Sequence, residues 1–243
     1  MAMAKTKGAK KSPTRPQTKP LAPPAAKAPA KAAPAPPPPP EAGTKRLNYS
    51  IAICGRKGTG KSTLLASLAT NYIAGNAAAN GGQGKRVLIL DVNGSPAHAH
   101  LPRLSTDQLI AWKPGGSLKI ATYRHEDRKF MMATVATHFR SGLLIMEDVL
   151  TYIGSNPNET TRRFLVDHRM ADLDVLYTYH SLLYIPPFFF QFLAYIVLLK
   201  TNDPLSKLSK SNKIPNMPAV LKAVAELQKE SDPYASKLIE TGI

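Results

Sequence analysis

The sequence predicts an α/β domain: a mainly parallel sheet with helices on both faces, preceded by a disordered basic tail. Three observations predict it. Short, continuously apolar runs alternate with helix-forming stretches, as in a sheet covered on both sides. The first run leads directly into a glycine-rich turn and then a helical pattern. Finally, 12 of the 22 prolines fall in residues 1–46, so the chain changes character near residue 47.

The 243-residue chain carries a formal net charge of +16. Its one cysteine excludes an internal disulfide framework and a cysteine-rich zinc site. Residues 1–46 hold net charge +9, with Glu41 as their only acid. Alanine, proline and lysine dominate this stretch. It cannot bury enough apolar surface to offset its ordering entropy, so it is expected to be disordered. Residues 36–40, all proline, should form a short polyproline II rod. No apolar segment follows the early lysines, so the expectation is a protein that is not secreted. The longest apolar stretch, residues 185–199, is interrupted by Gln191 and falls short of the roughly 20 residues that span a bilayer.

The elements follow in order. Residues 47–54 (LNYSIAIC) read as a strand ending at Gly55. Residues 62–74 place Leu64, Leu65, Leu68 and Ile73 near helical spacing. Residues 75–84, rich in Asn, Ala and Gly, read as a flexible loop. A strand at 87–91 ends in Asp91, a weaker one covers 118–123, and 128–140 reads as a helix. The run at 143–148 ends in Glu147 and Asp148. A helix at 158–170, a strand at 174–179, a proline-started helical turn at 186–194 and a strand at 195–200 complete the alternation. Beyond them, Lys207, Lys210 and Lys213 suggest a basic loop. Residues 218–229 put Val220, Leu221, Val224 and Leu227 on one helix side, for packing or subunit contact. His98 and His100 have too few companions for a metal site and read as a polar loop.

The chemistry concentrates in Gly55, Arg56, Lys57, Gly58, Thr59, Gly60, Lys61 and Ser62, which fit G-x-x-x-x-G-K-[ST] at every fixed position. The segment lies between a predicted strand and a predicted helix, as the motif requires. Glycines let backbone N–H groups wrap phosphate oxygens, and the helix N-terminus favours the same anion. Lys61 is expected at the β- and γ-phosphates, Ser62 on Mg²⁺ and Thr63 at the α-phosphate of ATP. Hydrolysis also needs a carboxylate near the metal and a group that orients water. Glu147 and Asp148, at the tip of an apolar strand, meet both needs: Glu147 with Ser62 in the Mg²⁺ shell, Asp148 polarising water, with the two roles interchangeable. Asp91 is the rival acid.

Together these pieces resemble the FtsK–HerA superfamily of P-loop ATPases, and within it viral packaging ATPases and zonular occludens toxin-type phage proteins. The resemblance covers residues 47–203. It rests on the phosphate loop, on LILDVNG at 88–94, on LLIMED at 143–148 and on the run from His168 to Asp203. It implies a RecA/ASCE-like fold. It also implies a γ-phosphate sensor at the end of the fourth core strand, where this chain has His180 in place of the usual Gln. An arginine before that strand acts on a neighbouring subunit's nucleotide; Arg169 matches best, with Arg162 and Arg163 as rivals. Asp91 closes the second strand near the site. The family's usual acid order is Asp then Glu; here it is reversed, which shortens the presumed catalytic arm by one methylene.

The function the resemblance implies is an ATP-driven DNA translocase, a viral genome-packaging ATPase. It would act on double- or single-stranded DNA as a homo-oligomeric ring, with a capsid or portal-vertex protein as a further partner, in the virion or host cytoplasm. Lysines of tail and body would hold DNA phosphates. Three alternatives stand beside it: a zonular occludens toxin-like assembly protein at a membrane, a partition-type nucleotide switch, and a scaffold that binds nucleic acid without hydrolysis. A membrane protein should show a span. A partition switch should carry Lys where Arg56 stands.

Overall fold

The computed structural model describes residues 48–79, 84–151, 153, 159–211 and 213–242. The predicted disordered tail and its polyproline rod lie outside the described residues. Among the described residues, eight strands form one sheet. In chain order they are β1 (Ser50–Cys54), β2 (Arg86–Leu90), β3 (Arg103–Leu104), β4 (Ile120–Tyr123), β5 (Gly142–Met146), β6 (Leu173–Tyr179), β7 (Tyr195–Leu198) and β8 (Lys237–Glu240). Their spatial order is β3-β4-β2-β5-β6-β1-β7-β8. Every neighbouring pair is parallel except β7–β8. Among the described residues the α-helices are α1 (Lys61–Ala79), α2 (Thr106–Ala111), α3 (Arg128–His138), α4 (Glu159–Asp167), α5 (Leu205–Leu208) and α6 (Met217–Lys229).

The central strands are buried throughout because both faces are covered. Alternate residues serve the two faces. Ile53, Val87, Ile89, Leu143, Ile145 and Leu176 pack with Leu65 and Ala69 of α1. Ala52, Leu88, Leu90, Leu144, Met146, Val175 and Tyr177 pack with Met131 and Val135 of α3, Phe164 of α4 and Val224 of α6. Burying the nine core side chains described on the α1 face alone brings about 14–27 kcal/mol of gross stabilisation. Register then fixes the site: Leu90 lies opposite Met146, Met146 opposite Tyr177, and Cys54 opposite both Tyr179 and Leu198. The residues after these positions therefore emerge along one edge.

Several elements differ from the sequence reading. The stretch expected to be loop from residue 75 is helix through Ala79. Its alanines are strong helix formers, and the Asn76 amide donates back to the Tyr72 carbonyl at 2.8 Å. The helical turn expected at 186–194 is present as a 3₁₀ turn at Pro187–Gln191. Strand β3, helix α2 and strand β8 were not anticipated. Helix α2 nonetheless carries a written start signal: Ser105 caps the Gln108 N–H while Gln108 accepts from the Ser105 N–H at 2.8 Å. Strand β8 makes the last segment part of the sheet.

Candidate nucleotide site

The phosphate loop joins β1 to α1 and is held by both neighbouring strands. The Gly55 N–H donates to Tyr179 O at 3.1 Å, and the Arg56 N–H to Lys200 O at 2.9 Å. A side chain at Gly55 would put a Cβ 2.8 Å from both Leu199 Cβ and Thr59 Oγ1, so only glycine lets the loop lie this close. The buried Thr59 hydroxyl donates to Arg56 O at 2.8 Å and closes the loop. Gly58 and Gly60 both have φ +83°, the left-handed region that glycine enters freely. Gly60 O accepts from Leu64 N at 2.9 Å, the first turn of α1. Lys57 is exposed on the loop; Ser62 and Thr63 follow Lys61 in the first turn of α1.

Lys61 folds back over this loop. Its ammonium donates to Gly55 O, to Arg56 O at 3.0 Å and to His180 Nδ1 at 3.3 Å. An ammonium only donates, so Nδ1 accepts and the His180 proton sits on Nε2. That N–H faces Asp148 Oδ1 at 2.9 Å. The other Asp148 oxygen accepts from Asn93 Nδ2 at 2.8 Å, and the Asp148 N–H donates to Thr178 Oγ1 at 2.9 Å. Asp148 therefore lies one imidazole away from Lys61. Burial lowers the Lys61 pKa, while Cys54, Asp148 and Glu147 act in the other direction. Both acids thus lie within electrostatic reach of the lysine.

Glu147 points to a different partner. His98 Nε2 lies 3.0 Å from Glu147 Oε1, an ion-pair distance without a well-aligned ring N–H. The His98 side chain is only 3% exposed, and the contact with Glu147 raises its pKa against the opposing effect of burial. The stretch read as a polar loop is here a 3₁₀ turn that buries the His98 ring. Proline at residue 96 and the Ser95 cap start a 3₁₀ turn that carries the ring inward. Asp91, also buried, accepts the Ser95 N–H at 2.8 Å and so shapes the turn that presents His98.

The sequence missed Asn93 and His98. Asn93 lies within the 88–94 stretch that carried the resemblance, but nothing in its spacing pairs it with a residue 55 positions away. Arg169 lies at the other end of β6, where its carbonyl accepts from Asn48 Nδ2 at 2.9 Å. The seven residues of β6 separate it from His180 by about 20 Å. Arg162 and Arg163 are exposed on α4. A cleft of about 470 Å³ between α3 and α4 includes Arg163, away from the lysine–acid cluster. Among the described residues no group of three or more His, Cys, Asp or Glu side chains could hold a metal by itself. No described helix is long and apolar enough to cross a membrane.

Comparison with the solved structures of B204 shows the same fold. The genome packaging NTPase B204 from Sulfolobus turreted icosahedral virus 2, in complex with ATP-gammaS, matches with TM-score 0.61 and 15% identity, over 80% of this chain and 92% of that one. B204, the DNA-packaging ATPase from Sulfolobus turreted icosahedral virus, matches with TM-score 0.59 and 15% identity, over 81% and 94%. The N-terminal domain of zonular occludens toxin from Neisseria meningitidis aligns with TM-score 0.41 and 14% identity, over 65% and 79%. No curated protein matches the chain in sequence. The family described as "Helicase HerA, central domain" matches residues 44–237. A glycine loop between strand and helix on a mainly parallel sheet agrees with that family match, and the chain belongs to the HerA central-domain family, an FtsK–HerA-type P-loop ATPase.

Proposed function

We propose that the chain hydrolyses ATP to move DNA, in the manner of a viral genome-packaging motor. The observation that carries the reading is the continuous contact from Lys61 through His180 to Asp148, beside the glycine loop. Lys61 sits on the β- and γ-phosphates, and His180 reads the γ-phosphate. Asp148 polarises the attacking water and takes its proton. The P–O bond to the γ-phosphate breaks, leaving ADP and inorganic phosphate. Ser62 and Glu147 offer hard oxygen ligands that suit Mg²⁺. Mg²⁺ held there would neutralise charge that develops on the phosphates. His98 holds the Glu147 carboxylate in its place.

The similar solved structures are a genome packaging NTPase and a DNA-packaging ATPase, and the chain's net charge of +16 favours a polyanionic partner. In a ring of identical subunits, Arg169 reaches a neighbour's nucleotide, and a capsid or portal-vertex protein anchors the ring. The site of action is the virion or the host cytoplasm. The test is ATP turnover with and without double- and single-stranded DNA, with Lys61→Ala as control. DNA-stimulated turnover supports the motor. DNA binding with turnover no higher than the control's would establish a scaffold instead.

A further inference from the structure

The site so far described recognises phosphate, yet one aromatic ring beside it has no role. Tyr234 precedes β8 and lies against the phosphate loop. A Cβ built on Gly60 would meet Tyr234 Cδ1 at 2.8 Å. The ring is otherwise open, 64% exposed.

Its place is fixed from both sides. The Lys200 ammonium, just beyond β7, donates to Glu230 O, and Gln228 Nε2 donates to Asp203 O at 3.2 Å. The Tyr234 N–H donates to Asp232 Oδ1 at 2.9 Å, so the loop turns on itself. After the loop, Lys237 pairs opposite Leu198 of β7. The ring is thus anchored to the strand next to β1.

Sheet order gives this position a polarity. The acids and His180 directly follow β5 and β6, to one side of β1; Tyr234 lies on the β7–β8 side. Hydrolysis requires the terminal phosphate to face the acids. The triphosphate then runs across Lys61 and Gly60, and its nucleoside end emerges toward Tyr234. We propose that Tyr234 is the stacking platform for the nucleobase, held against the phosphate loop by the antiparallel pairing of β8 with β7. This rests on the nucleotide reading above and adds the recognition of the nucleoside end to it. Stacking on an aromatic face is tolerant of base identity. The platform therefore grips purine nucleotides without selecting adenine from guanine.

The test is calorimetric binding of ADP, GDP and inorganic tripolyphosphate to the full chain, its Tyr234→Ala and Tyr234→Phe variants, with thermal melting to show each is folded. Tyr234→Ala should weaken ADP and GDP alike by about tenfold. It should leave tripolyphosphate affinity unchanged, and Tyr234→Phe should bind all three as the parent does. Equal weakening of tripolyphosphate would overturn the proposal, because the ring would then only prop Gly60. ADP affinity within twofold of the parent in Tyr234→Ala would also overturn it. If the parent binds tripolyphosphate no better than Lys61→Ala, the phosphate-loop reading itself fails, and the platform with it.

Discussion

Replacing Asp148 by asparagine isolates what its carboxylate does. The backbone there has φ +47°, a conformation that asparagine tolerates as well as aspartate, so the exchange adds no strain. The two partners of the carboxylate are both donors: Asn93 Nδ2 at 2.8 Å and His180 Nε2 at 2.9 Å. An amide can accept only one of them and must turn its own N–H₂ toward the other. The unmade contact would cost about 1–3 kcal/mol if fully buried. The Asp148 side chain is 32% exposed and that of His180 52%, so water recovers much of this and about 1 kcal/mol remains. In a body of about 200 residues that lowers the melting temperature by roughly 2–4 °C. Turnover should fall far more, by about 10²–10⁴, because the amide cannot take a proton from water. The assay is steady-state ATP hydrolysis alongside calorimetric ADP binding, which should stay within about threefold of the parent. Turnover within twofold of the parent would refute the assignment of Asp148, and Glu147→Gln would then be the variant that abolishes hydrolysis.

Three further outcomes are expected. Lys61→Ala should lose at least about 10²–10³ in turnover, yet melt no lower than the parent, since burial already disfavours its charge. Gly142→Ala should destabilise by about 3 kcal/mol, or roughly 10 °C in a melt. Its Cβ would lie 2.5 Å from Arg86 O in the paired strand and 3.0 Å from Phe139 Cζ, and the backbone between β2 and β5 has no room to shift; a melt within 2 °C of the parent would contradict this. His168 is buried neutral, 2.8 Å from Leu165 O and 3.1 Å from the Ser50 hydroxyl, and burial lowers its pKa. The unfolded chain therefore binds a proton that the folded one refuses, and its contribution to stability, present above pH ~6.5, is lost as pH falls toward the depressed value. His168→Gln should flatten the fall in melting temperature between pH 7 and pH 5; an unchanged slope would place the titration elsewhere.

What the sequence disclosed follows from how local each signal is. The phosphate loop is eight contiguous residues whose chemistry needs only a strand before and a helix after. The apolar runs that became β2, β5 and β6 were legible because burial on both faces forbids polar interruption. Strand β8 was not, because its Lys237 and Glu240 are exposed at a sheet edge and only Ile239 turns inward. Strand β3 spans two residues and has no periodicity to find. The polar partners of the acids were hidden for another reason. His98 meets Glu147, and Asn93 meets Asp148, only because β2 and β5 are neighbours in register. A histidine in a proline- and alanine-rich turn carries no sign of such a partner. His180 was readable because it directly ends a strand that the resemblance already ordered.

The left-handed backbone at residue 148 also bears on the reversed order of the two acids. A longer carboxylate at that bend would gain a methylene of reach but would enter a conformation that side chains without a short polar group resist, at about 1 kcal/mol. Aspartate fits the bend. The compact arm is matched to its corner, and the imidazole of His180 fills the remaining distance to Lys61.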